Sequence, residues 1–319
     1  MRIRFSGRTL TFVALSALLV FSAHVLLGKD EPKPRPLPPE DFRLLSPQTY
    51  DYVLNQPDSC RPRSPFLVLM VPVAPEQRRF RDAIRRTWGA AGERTLTRFY
   101  MGAPEGGLDG SAQLELERES RQHGDVIQMT FVDSYRNLTI KTLMMMNWLS
   151  VHCPDASFAM KVDSDIFVNV PYLLRRLQRS PTLAFITGSV ISDGTPRRDP
   201  GSKWHLSEDE YPEDSFPPYV SGAGYVFSLD LARHISSASR FVRMIPMEDV
   251  YVGLCLRVLG VQPVYSRTFL PPRNLFEIRK LHYDRCTFAR RIIVNGFGPA
   301  ELLRVWPDFS QGHADCSWI

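Results

Sequence analysis

Cysteine is scarce and scattered. The 319 residues hold five (Cys60, Cys153, Cys255, Cys286 and Cys316) with no C-x-x-C pair, which argues against a zinc cluster built from such pairs. An excess of charge of one sign is also nearly missing. Lys and Arg number 39 against 34 Asp and Glu, and residues 1–65 hold nine of the basic and six of the acidic side chains. The other 254 residues carry only +2, which is no polyanion footprint and excludes nucleic acid as the expected partner. There are no internal repeats and no collagen or coiled-coil period, and at 44% hydrophobic the chain is too apolar for disorder.

Proline, by contrast, is concentrated. Nine of the 26 prolines fall between Lys29 and Pro65, including EPKPRPLPPE at 31–40. Such a density opposes helix and sheet ladder, so the segment reads as an extended spacer. Before it, Thr9 to Gly28 forms a twenty-residue run without Asp, Glu, Lys or Arg, long enough for a membrane-spanning helix. Arg2, Arg4 and Arg8 precede it and would hold the N-terminus in the cytoplasm. A cleaved signal peptide is the rival, with only a poor cleavage site at Ser22–His24. The expected organisation is a cytoplasmic tail at 1–8, a signal-anchor at 9–28, a proline-rich stem at 29–62 and a lumenal domain at 63–319. Asn137-Leu138-Thr139 is an N-glycosylation sequon usable in that compartment. In an oxidising lumen the five cysteines predict one or two disulfides and at least one free thiol.

From Pro65 onward, short apolar runs alternate with helical patterns. Strands are expected at Phe66–Val73, Arg98–Met101, Asp125–Phe131, Phe158–Val162 and Ile166–Val170. Helices are expected at Glu76–Trp88, Gln113–His123, Leu138–His152 and Pro171–Gln178. The alternation predicts an α/β fold with a mostly parallel central sheet flanked by helices. Ligands of such sheets sit at the carboxyl ends of strands, where Asp163-Ser164-Asp165 falls. Two carboxylates one residue apart can share a hard divalent cation with a diphosphate, or simply make a turn. Glu248-Asp249 opens an apolar helix, as caps or as a general base. Ser221–Tyr225, with two glycines, reads as a tight turn. Arg81, Arg85, Arg86 and Trp88 form either an exposed basic helix face or a diphosphate clamp.

Taken in order, RDAIRRTWG (81–89), DSYRNLTIKT (133–142), KVDSDIFVNV (161–170), YVSGAGYVFS (219–228) and MEDVYVGLCLRVLG (247–260) resemble the β1,3-galactosyltransferases of glycosyltransferase family 31. The resemblance runs from about Phe66 to Trp306. It implies a GT-A fold held at the Golgi membrane as a single-pass type II protein, with UDP-galactose as donor, Mn²⁺ as cofactor and glycans of glycoproteins or glycolipids as acceptors. It further implies Asp163 and Asp165 as metal ligands, Asp249 as base beside Glu248, and Arg81, Arg85, Trp88, Lys161, Asp163, Ser164, Gly222 and Gly224 at the nucleotide sugar. Two departures stand out. Asn295 occupies the place of a usual C-terminal histidine metal ligand, for which His282 is a substitute outside the motif. Val220 replaces a usual cysteine. Rival readings are a β1,3-N-acetylglucosaminyltransferase acting on galactose and a binding pseudoenzyme.

Overall fold

A computed structural model describes residues 50–61, 64–269, 281–312 and Cys316. The expected tail and anchor, and the stem before residue 50, lie outside them. Among the described residues no helix is long and apolar enough to cross a membrane.

The strands are β1 (Tyr52–Leu54), β2 (Leu67–Pro72), β3 (Thr95–Ala103), β4 (Val126–Val132), β5 (Phe158–Val162), β6 (Ile166–Val168), β7 (Ile186–Ile191), β8 (Tyr219–Ser228), β9 (Val264–Tyr265) and β10 (Ile293–Asn295). Between and after them run α1 (Arg78–Arg85), α2 (Ser111–His123), α3 (Leu138–His152), α4 (Val170–Leu177), α5 (Asp230–Ala238), α6 (Glu248–Leu259), α7 (Arg285–Ala289) and α8 (Pro299–Ser310). Eight strands form one sheet in the order β1-β4-β3-β2-β5-β8-β7-β9, and β10 pairs with β6 in a second. Only β4-β3-β2-β5 and the edge pair β7–β9 are parallel. The expected mostly parallel sheet is therefore a mixed one, because β8 returns antiparallel between β5 and β7.

The apolar run of β2 is buried at every position, as a strand covered on both faces must be. Alternation sends Val68 and Met70 to one face, against Met144, Met145, Trp148 and Leu149 of α3 and Leu254 of α6. Leu67, Leu69 and Val71 point the other way, against Ile84, Leu173, Leu302 and Phe309 from α1, α4 and α8. The result is a three-layer α/β arrangement with a core on each face of the sheet.

β1 lies inside the segment read as spacer. It falls in the proline-free interval between Pro47 and Pro57, so its backbone can pair, and it does so antiparallel to β4. Disulfides join Cys60 to Cys153 and Cys286 to Cys316, while Cys255 is a buried free thiol, within the expected one or two disulfides and at least one free thiol.

Candidate functional site

The expected strand Phe158–Val162 and helix Leu138–His152 have those bounds in the structure, so Asp163 stands just beyond the carboxyl end of β5. Its N–H donates to the Ala223 carbonyl of β8 at 3.2 Å. The Ser164 residue is buried, whereas Asp165 is exposed and leads into β6. The Asp165 carbonyl accepts from the Phe297 N–H at 2.8 Å, and Asn295 lies directly opposite Ile166 in the β10–β6 pair. Folding thus brings Asn295 beside the Asp-Ser-Asp segment across 130 residues of chain. His282 is exposed, in the stretch before α7.

Lys161 organises the centre. It sits in β5 opposite Tyr225 of β8, and its side chain is only 4% exposed. Its Nζ donates to Asp163 Oδ1 at 2.7 Å and to the Gly222 carbonyl, and pairs with Glu248 Oε1 at 2.8 Å. An ammonium has three protons, and each has an acceptor. Burial opposes the Lys161 charge, but Asp163 and Glu248 outweigh it and raise its pKa.

Glu248 and Asp249 form the first turn of α6, where carboxylates also suit the helix N-terminus. Glu248 is buried. Its Oε2 accepts from Thr142 Oγ1 at 3.3 Å and from the Tyr225 hydroxyl at 3.2 Å. Burial pushes its carboxyl up to about 7; Lys161 opposes the rise and Asp249 adds to it. Asp249 is half-buried and accepts the N–H of Gly222 at 3.1 Å and of Val250 at 2.9 Å. Burial raises its pKa against these two donors. Asp165 is raised as well, by the surrounding protein and then by the charge of Asp163.

The stretch Ser221–Tyr225 is strand, inside β8, rather than the expected turn. Its glycines serve close approach. A Cβ at Gly222 would lie 2.7 Å from Glu248 Oε1 and 3.3 Å from Asp249 Oδ2, and one at Gly224 would lie 3.2 Å from Ile293 Cδ1.

Arg81, Arg85 and Trp88 are not brought into this cluster's hydrogen bonds. Arg81 is buried and forks onto both Glu119 oxygens at 2.7 Å, with further bonds to the Ala74 and Pro75 carbonyls. Arg85 forks onto Asp125 at 2.8 Å, pairs with Glu119 at 2.7 Å and bonds Asp82. Trp88 is buried in the core on the α1 face. Asn137 is half-buried with its Nδ2 donating to the Val132 carbonyl at 2.8 Å, and Thr139 of the sequon donates to the Ile245 carbonyl at 2.6 Å.

Thr142 and Tyr225 escaped the sequence reading. Both lie in quoted motifs as hydroxyl residues amid apolar neighbours, but the only reason to single them out is the distant acid that they contact.

Together these features define a mixed α/β protein whose site is a set of carboxylates gathered round one buried ammonium at the carboxyl end of the central strand β5. A family model described as galactosyltransferase matches residues 79–267, and the chain belongs to that family. It is 40% identical over 278 residues to beta-1,3-galactosyltransferase 2 of Mus musculus, an alignment covering 84% of this chain and 64% of that protein. It is 38% identical over 282 residues to beta-1,3-galactosyltransferase 1 of Mus musculus, covering 86% and 83%. The chain thus spans a little under two thirds of the length of the first of these relatives. Among solved structures, galactosyltransferase LgtC aligns with a TM-score of 0.40 and 12% identity over 78% of this chain and 98% of that one.

Proposed function

We propose that this chain is an inverting GT-A-type galactosyltransferase, moving galactose from UDP-galactose to the 3-hydroxyl of a terminal GlcNAc or GalNAc on glycoprotein or glycolipid glycans. One observation carries the reading. Lys161 and the Gly222 peptide link the Asp163 carboxylate to the Asp249 carboxylate in one continuous set of hydrogen bonds, joining the place for a diphosphate to the place for a base.

Asp249 is the base because it reaches solvent while Glu248 is enclosed. A raised pKa makes its carboxylate a stronger proton acceptor. Asp249 takes the proton of the acceptor 3-hydroxyl as that oxygen bonds to the anomeric carbon. The bond to the UDP oxygen breaks on the opposite face, so an α-linked donor gives a β-linked product without a covalent intermediate.

The residues present suit a divalent cation in charge and type. Asp163, Asp165, Glu248 and Asp249 cluster round the ammonium of Lys161; the surrounding protein raises the pKa of Asp165, Glu248 and Asp249, and the charge of a neighbouring carboxylate adds to the rise at Asp165 and Glu248. That is an excess of negative charge which a hard cation relieves. Among the described residues no group of three His, Cys, Asp or Glu stands ready to hold a metal. Mn²⁺ would rest on Asp163 and Asp165 with the side-chain oxygen of Asn295, leaving positions for water and diphosphate oxygens. When bound it supplies charge neutralisation for the departing diphosphate.

The setting we propose is the Golgi membrane, with residues 9–28 as a type II anchor and the folded part lumenal. The two disulfides support an oxidising compartment. Glycosylation of Asn137 would precede folding, since the amide and the Thr139 hydroxyl are used internally afterwards.

The test is UDP release by the full chain from UDP-galactose, UDP-GlcNAc and UDP-GalNAc. Each donor is offered with β-linked GlcNAc, GalNAc and galactose acceptors, with Mn²⁺ or with EDTA. We expect metal-dependent turnover of UDP-galactose, and a loss of about 10²- to 10⁴-fold in kcat for Asp249→Asn. Turnover of UDP-GlcNAc on galactose alone, or silence from a folded protein that binds UDP, would overturn the assignment.

A further inference from the structure

Two large aromatic side chains stand exposed beside the acid cluster. Tyr135 is 49% exposed and Trp204 43% exposed, and they come from separate segments. Tyr135 lies in the turn between β4 and α3, at the same carboxyl end of the parallel strands as Asp163 after β5. Trp204 lies in the long loop between β7 and β8. Lys203 bridges them, its Nζ 5.7 Å from the Tyr135 ring centroid and 4.4 Å from that of Trp204. The Trp204 indole lies close enough to the Tyr135 phenol to favour its ionised form.

The pair is fastened on both sides. Next to Tyr135, Arg136 pairs with Glu210 of the long loop at 3.4 Å, and Glu210 in turn accepts from the Ser207 N–H and hydroxyl. Beyond it in α3, Thr139 bonds the Ile245 carbonyl and Thr142 bonds Glu248. The turn holding Tyr135 is thereby tied to the first turn of α6 that carries Glu248 and Asp249. The phenol senses them: burial first, then the charges of Asp249, Asp163 and Glu248 raise its pKa.

Exposed aromatic surface at a polar edge is unfavourable unless something covers it. Indole and phenol rings offer flat apolar area with a polar rim and few rotatable bonds. A β-linked hexopyranose offers the complement, one face of axial C–H groups ringed by equatorial hydroxyls. We propose that Tyr135 and Trp204, with Lys203, form the seat of the acceptor's terminal pyranose and hold its hydroxyl toward Asp249. This rests on the transferase reading above for what is transferred, and on the two rings alone for where the sugar sits.

Two measurements on the full chain separate those claims. The first is steady-state transfer from UDP-galactose to methyl β-N-acetylglucosaminide. Trp204→Ala should raise the acceptor KM about tenfold with the UDP-galactose KM within about twofold, a loss confined to acceptor binding. Trp204→Phe should restore most of it, because the flat face is kept. The second is saturation-transfer NMR of the same glycoside and of methyl β-galactoside with UDP present. In the wild type the axial C–H hydrogens of one face should receive most saturation, and Trp204→Ala or Tyr135→Ala should abolish that pattern. An acceptor KM and saturation pattern both unchanged in Trp204→Ala would overturn the proposal, as would a wild-type protein that saturates neither glycoside. A Trp204-dependent saturation pattern from a protein that transfers nothing would uphold the seat and sink the transferase reading instead.

Discussion

Replacing Lys161 with Met puts the organisation of the site to its hardest test. The side chains are similar in length, so packing against the sheet is largely kept, but Asp163, Glu248 and the Gly222 carbonyl lose a shared donor. Removing one partner of a buried pair costs about 3–5 kcal/mol, because a charge is left uncompensated. Here the cost should fall at the low end. Glu248 already has its carboxyl pushed up to about 7, so it can take up a proton rather than stay charged, and it keeps the Thr142 and Tyr225 hydroxyls. Asp163 is 41% exposed and can turn to water. We therefore expect a loss of about 3 kcal/mol, seen as a Tm lower by roughly 6–12 °C for a domain of this size. The protein should stay folded, since typical stabilities are about 5–15 kcal/mol. Urea unfolding and a thermal scan of Lys161→Met and Lys161→Arg against wild type measure it. The Arg variant should also fail, since a planar fork cannot replace a three-proton point charge aimed at three converging acceptors. A Lys161→Met protein within 1 kcal/mol of wild type (about 2–4 °C in Tm) would show that the ion pairs hold nothing together.

Gly222→Ala should lower kcat at least tenfold while costing about 1–3 kcal/mol, the range for overpacking, because the new methyl meets the Glu248 and Asp249 carboxylates; unaltered kinetics would refute the close-approach account. For Glu119, burial opposes ionisation, but the forks of Arg81 and Arg85 win and hold its carboxyl below the ordinary 4.5. That stabilisation is complete above the unfolded-state value and is lost as pH falls through the folded-state value. Glu119→Gln should thus start with a lower Tm at pH 7 and show a flatter acid limb, and parallel Tm–pH curves for the two proteins would contradict the linkage. Opening the Cys60–Cys153 disulfide by Cys153→Ser releases a 93-residue separation, for which loop entropy predicts a loss of about 4–5 kcal/mol; equal urea midpoints would refute it.

Much of this protein is written locally. The run Leu67–Pro72 is a buried strand because every residue in it avoids water, and β5 and α3 end where their apolar patterns end. Asp163 and Asp165 lie past a strand whichever neighbours that strand acquires, and the motifs in order identify the family. What the amino-acid order alone leaves open is which charges meet. Arg81 and Arg85 read equally well as an exposed face or a phosphate clamp until Glu119 and Asp125, 38 and 40 residues away, take their N–H groups. Lys161 is a lysine in an apolar strand until β8 returns antiparallel and sets Tyr225 opposite it, with Gly222 three residues back and Glu248 on the helix above. Thr142 and Tyr225 have no signature of their own, and β1 is masked by the prolines around it. Helical and strand periods are properties of neighbouring residues, whereas a buried ion cluster depends on which distant strands close on one another. The pairing of β5 with β8 decides that, and with it the place where a base and a diphosphate could come together.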